Sequence, residues 1–168
     1  MCSRRIAPLL ALAVFVSAAR ASATVLVPAD LPTAVAESSL IVHGRVVDVR
    51  SAVTAPPRGI ETFVTVAVVD ALKGSPGRHV TFRLPNGQVG RYRRIVVGAP
   101  ELEAGEEVVV FLRGQAPAIP TLFGLSQGVY RVARQAGLPV VMRGSPTRQP
   151  LPLEAFARAI EAIVEKPR

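Results

Sequence analysis

The residues best suited to recognition chemistry are arginines gathered in one short stretch, Arg91-Tyr92-Arg93-Arg94, with Arg83 ahead of it and Arg131 beyond. A guanidinium donates paired hydrogen bonds to a carboxylate, phosphate or sulfate, and a tyrosine beside it adds a flat packing surface. Arg83, Arg91, Tyr92, Arg93, Arg94 and Arg131 are therefore the candidate binding residues, and anionic groups are what they would hold. The competing reading of the same stretch is an edge strand kept soluble and unpaired by its charge.

Gly124-Leu125-Ser126-Gln127-Gly128 matches the G-x-S-x-G pattern of a nucleophilic serine. That motif works at a strained strand-to-helix turn, with an acid and then a histidine downstream. Here Val129-Tyr130-Arg131-Val132 continues as an alternating strand, and the last histidine, His79, lies upstream. The expectation is a glycine-flanked bend between strands. Thr24, as a mature N-terminus, would be a nucleophile only in a layered α/β architecture that nothing else in the chain suggests. No catalytic residue is assigned, and the chain is read as non-enzymatic.

A metal site is not expected. His43 and His79 fall on separate strands, whereas zinc takes three or four ligands. Glu101, Glu103, Glu106 and Glu107 lack the aspartate, asparagine and glycine spacing of a calcium loop and read as a solvated turn. No cofactor is expected either.

The elements that must position these residues read as short strands punctuated by Gly and Pro. Asp30-Leu31-Pro32-Thr33 starts a short helix, with Asp30 as a candidate cap, running through Glu37 and expected to close one end of a barrel or sheet. Leu40 to Val49 is β-rich, and its apolar parity slips between Val46 and Val47, just after Gly44. A bulge or bend there lets one long strand serve two sides of a closed sheet. Pro56-Pro57-Arg58-Gly59 turns into a second long run, Ile60 to Leu72, whose Phe63 to Val69 segment is apolar on both parities and reads as central.

Val80, Phe82 and Leu84 then alternate inward against His79, Thr81 and Arg83 outward. A strand from Val89 to Val97 carries the arginines, and Glu106 to Leu112 reads as a buried strand. Strand-like pieces follow near 121–125, 128–134 and 138–142. The chain closes on an amphipathic helix over about 153–166, with Leu153, Phe156, Ile160, Ile163 and Val164 on one face. The pattern predicts a mainly β chain: a small barrel or sandwich of about 6–7 strands with a short N-terminal helix and a C-terminal amphipathic helix. The two long early strands favour a closed or partly open barrel of the oligonucleotide/oligosaccharide-binding (OB) type.

The chain begins with an address. Arg4 and Arg5 precede the apolar run Ile6 to Ala19, and small-x-small sites follow at Ala19-Arg20-Ala21 and Ala21-Ser22-Ala23. This is the secretory signal pattern, cleaved after Ala23 or Ala21. Residues 1–23 are thus a signal peptide and 24–168 a single domain, periplasmic or secreted. Cleavage removes Arg4, Arg5 and Arg20 and no acid, so the net charge falls by three from +8 to +5. The single cysteine, Cys2, goes with it, leaving no disulfide and no thiolate metal site. About 145 residues remain, enough to bury a self-supporting core. No later segment approaches membrane-spanning length without charges.

Gly44-Arg45-Val46-Val47, Leu72-Lys73-Gly74, Gly98-Ala99-Pro100, Gly105-Glu106-Glu107-Val108, Phe111-Leu112 and Gln127-Gly128, in that order, resemble a family of exported bacterial proteins. The strand ending in Leu72-Lys73-Gly74 also resembles the netrin-like, OB-type barrel of tissue inhibitors of metalloproteases. The resemblance implies a barrel fold and suggests a protease as partner. Those inhibitors place an N-terminal cysteine over the protease zinc. Here the mature chain would begin at Thr24 or Ser22 with no cysteine, so any inhibition would need another geometry. The expected function is an exported interaction module that binds another extracytoplasmic protein through its basic strand edge. The alternative is a domain binding an anionic polysaccharide or envelope polymer, while export sets nucleic acid aside.

Overall fold

A computed structural model describes residues 29–55, 59–114, 117–143 and 150–166. Residues 1–23, read from the sequence as a signal peptide, lie outside the described residues, as do Thr24, Pro56, Pro57 and Arg58. The described elements begin with α1 (Leu31–Glu37), β1 (Leu40–Thr54), β2 (Gly59–Lys73), β3 (His79–Leu84) and a hairpin of β4 (Gly87–Val89) and β5 (Tyr92–Arg94). They continue with β6 (Glu107–Arg113), β7 (Thr121–Leu122), β8 (Val129–Gln135), β9 (Leu138–Arg143), β10 (Leu151–Pro152) and α2 (Leu153–Val164).

Five strands close into a barrel in the order β1-β2-β3-β7-β6, with β6 returning to β1. Every neighbouring pair is antiparallel except β3 with β7. That order, with its single parallel contact, is the Greek-key closure of an OB-type barrel. β8, β9 and β10 extend the sheet outward from β6. The mainly β barrel with a short N-terminal and a C-terminal helix, expected from the sequence, is the fold observed.

Closure depends on the irregularity read around Gly44. β1 pairs with β2 along its length and with β6 over Leu40–Arg45, so its first half belongs to both sides of the barrel. Register shifts fall between Ile41 and Val42, His43 and Gly44, and Val46 and Asp48. These bulges sharpen the local twist enough for one strand to turn the corner.

The apolar side chains separate into two cores. Val42, Val46, Val64, Val66, Phe82 and Val110 fill the barrel interior. Ile41, Val109, Phe111, Tyr130, Phe156 and Ile160 form a second core on the outer side of β6, beneath both helices. β6 is therefore buried on both faces, as its unbroken Val108-Val109-Val110-Phe111-Leu112 run requires. α1 does not plug the end of the sheet as its position predicts. Ala34 and Val35 pack into the outer core, and the Lys73 ammonium donates to the Val35 carbonyl at 2.6 Å. α2 matches the expected face at Phe156 and Ile160, but Val164 is exposed.

Asp30 caps α1 as predicted, its Oδ1 accepting from the Thr33 amide at 2.8 Å. Asp30→Ala is expected to lower stability by about 1 kcal/mol, within the usual range for loss of an N-cap. A shift in the urea midpoint with an unchanged slope checks this.

Candidate functional site

The arginine-rich segment folds as a small hairpin rather than as the continuous strand expected from Val89 to Val97. β4 ends at Val89, Gly90 turns the chain in a left-handed conformation, and Arg91 lies in that turn. β5 holds only Tyr92, Arg93 and Arg94 and pairs with β4 alone among the described strands. Polar contacts anchor the hairpin to the end of the barrel where β1 runs into β2. The Gln88 amide donates to Ser51 Oγ at 3.3 Å, and Thr62 Oγ1 donates to the Asn86 carbonyl at 2.7 Å. The chain then returns through residues 95–106 and inserts Leu102 into the barrel core.

The six candidate residues are not equivalent. Arg91 lies over the Tyr92 ring at 5.1 Å and donates to its hydroxyl at 3.0 Å, an exposed cation–π pair at the hairpin tip. Arg93 pairs with Glu101 at 2.7 Å. Arg94 reaches only the Ile60 carbonyl, at 3.5 Å, and has no carboxylate partner among the described residues. Arg131 is drawn toward the same segment, pairing with Glu106 at 3.1 Å and donating to the Glu101 carbonyl at 2.6 Å. Arg93 and Arg131 thus both reach Glu101, one at its carboxylate and the other at its backbone carbonyl. Arg83 stands apart on the outer face of β3, facing Glu61 at 3.4 Å, with its Nε buried and without a partner in the described structure.

The acidic run is largely the exposed turn it reads as, but its carboxylates also carry ion pairs. Glu101 and Glu106 hold Arg93 and Arg131. Glu107 holds His43 at 2.9 Å and Arg45 at 3.4 Å. Among the described residues no group of three potential ligands is arranged to hold a metal. Ser126 sits in a 3-10 turn, Leu125–Gly128, between β7 and β8. The left-handed residues there are Gly124 and Leu125, and the turn opens into a strand rather than an α-helix, unlike a nucleophile elbow.

Two further features escaped the sequence reading. Next to the arginines, large apolar side chains stand in solvent: Tyr92 is 62% exposed, Ile95 74% and Val97 91%. On the outer face of the barrel, Phe63 lies in register with Arg50 on β1 and Arg83 on β3, making an arginine-aromatic-arginine row across three strands. Phe63 belongs to neither core, so the Phe63 to Val69 run is central in strand order but not buried on both faces. Its alternate apolar positions gave the right strand, while nothing local showed that the helices would cover β6 instead.

A cleft of about 380 Å³ opens between the hairpin, the returning segment and the β1–β2 end of the barrel. Arg93, Arg94, Asn86 and Thr62 line it with polar groups, and Leu84 and Leu102 with apolar ones. No protein-family model matches this chain, and neither does any curated protein. Among the described residues, no helix is long and apolar enough to cross a membrane.

Proposed function

We propose that the protein is an exported, non-enzymatic interaction module that binds another extracytoplasmic protein through the β4–β5 hairpin. One observation carries this reading: arginines and three largely exposed apolar side chains stand together on the β4–β5 hairpin and the residues that directly follow it. Isolated exposed apolar residues are ordinary, but Tyr92, Ile95 and Val97 lie within six positions beside an arginine stacked on tyrosine. Aromatic and arginine anchors of this kind dominate the energetics of protein interfaces. A protease fits as partner by the netrin-like resemblance, with the hairpin in place of a terminal cysteine as the contact.

The combined change Arg91→Glu with Tyr92→Ala tests the assignment. Immobilised wild-type domain is exposed to the secreted and periplasmic fractions of its source, and retained proteins are identified by mass spectrometry. The double variant is expected to retain its specific partner at least about tenfold less well, with an unchanged thermal midpoint. Equal retention by the two forms overturns the hairpin as the contact.

The outer-face row favours a second reading, the anionic polysaccharide or envelope-polymer domain. OB-type barrels bind extended polymers on the outer side of their second and third strands, where Phe63 and Arg83 lie, with Arg50 alongside. Polysaccharide binding lost on Phe63→Ala, with protein capture absent, would move that reading ahead.

A further inference from the structure

We infer that the cleft beneath the hairpin is a carboxylate-binding subsite that receives an aspartate or glutamate side chain of the protein partner. This rests on the hairpin being the partner-binding element and names the chemical group it recognises. The chain itself shows what the cleft's guanidinium groups take. Glu101, whose side chain is 73% exposed, sits at the rim with its carboxylate 2.7 Å from Arg93. Arg94, the next residue, lines the same cleft, and its one contact among the described groups is the Ile60 carbonyl at the limit of hydrogen bonding. With Arg93, Arg94 and Glu101 as its charged lining, the cleft carries one positive charge more than it neutralises. A second carboxylate placed against Arg94 balances it with charge-assisted hydrogen bonds.

The uncharged lining sets the class of guest. Asn86 donates through Nδ2 to the Pro100 carbonyl at 3.2 Å, and its Oδ1 is closed off from solvent without a donor in the described structure. Asn86 thus adds a polar wall, with one acceptor unsatisfied within the described structure, beside the two guanidinium groups. Val49, Leu84 and Leu102 provide apolar wall for the methylenes of an acidic side chain. Ile95 lines the cleft while remaining largely exposed, so the cleft runs into the apolar surface of the hairpin. A polyuronate, hydroxylated along its length, would leave that surface unmatched; an acidic segment of a protein covers both.

The probe is N-acetylglutamate N-methylamide, titrated into the isotopically labelled protein and followed by backbone amide shifts. Its uncharged glutamine analogue serves as the isostere, and glucuronate as the polymer-type competitor. Saturable shifts at cleft residues are expected for the glutamate probe, with affinity on the order of millimolar. The glutamine analogue should bind at least about tenfold more weakly. Arg94→Gln should weaken the glutamate probe by about tenfold or more, whereas Arg158→Gln, the same charge change on α2, should leave it unaltered. Glu101→Gln removes the internal competitor and should tighten binding by a few fold, so the idea stays testable even if Arg94→Gln fails to fold. Equal binding of the two analogues, no gain with Glu101→Gln, or shifts from glucuronate alone would each overturn it. The titration contains no partner, so a silent result removes the subsite and leaves the hairpin reading standing. Failure of partner capture, in turn, leaves the titration unaffected.

Discussion

Truncation of Phe111 to alanine is expected to remove about 3–5 kcal/mol of stability, a large share of the roughly 5–15 kcal/mol that holds a domain folded. Phe111 is fully buried and stands at the middle of the outer core. Its ring is 5.3 Å from that of Tyr130 and 6.4 Å from that of Phe156, which are themselves 4.7 Å apart. Removing it opens a cavity between strand and helix and strips α2 of a ring contact that holds it to the sheet. The effect should be uneven: amides of α2 lose protection in hydrogen exchange before those of β2 and β3, because the barrel interior is a separate cluster. Phe63→Ala is the comparison. On the open outer face it should cost no more than about 1 kcal/mol. Similar costs for the two substitutions in urea titrations would contradict the division into two cores.

The second large effect is expected at Gly44, where alanine should cost about 3 kcal/mol, the upper part of the usual range for overpacking. A Cβ there would lie 2.3 Å from the Ala67 carbonyl oxygen and 2.6 Å from Val66 Cγ1. The first of these is backbone, so no rotamer change relieves it. Relief requires β1 and β2 to separate at the bulge where β1 passes from one side of the barrel to the other. Thermal unfolding of Gly44→Ala, with Gly90→Ala as a comparison whose Cβ meets nothing within 4 Å, separates crowding from loss of glycine. Gly90 has a positive φ, so it reports the backbone cost alone. A Gly44 variant no less stable than the Gly90 variant would mean that the close approach is not what the glycine serves.

Local pattern carried much of the architecture. The His79 to Leu84 alternation placed Val80, Phe82 and Leu84 inside, and the Asp30 cap and the parity slip before Val47 are all where they were read. Each of these depends on residues within a few positions of one another. The rest depended on distant partners. Phe63 and Val109 sit in equally apolar runs, yet only the second is covered, because the helices pack over the middle of β6 and meet β2 only near its Leu72–Lys73 end. The ion pairs of the acidic run were hidden because its partners Arg93, Arg131 and His43 come from three other segments. The hairpin was hidden by Ile95 and Val97, whose β-branched side chains extend the apparent strand although both stand in solvent. The candidate arginines were visible by type, but which of them are engaged and which remain open was not.

Burial of β6 on both faces also bears on how the chain reaches its native state. Its closure onto β1 brings together positions such as His43 and Glu107, 64 residues apart, and contacts of that span form late. Until then Val108 to Leu112 is an uncovered apolar segment of high β-propensity, the kind that seeds intermolecular sheets. Glu106 and Glu107 on one side and Arg113 on the other act as gatekeepers against that pairing. The charges that hold the neighbouring arginines in the finished molecule would then serve first to keep the unfinished one from aggregating.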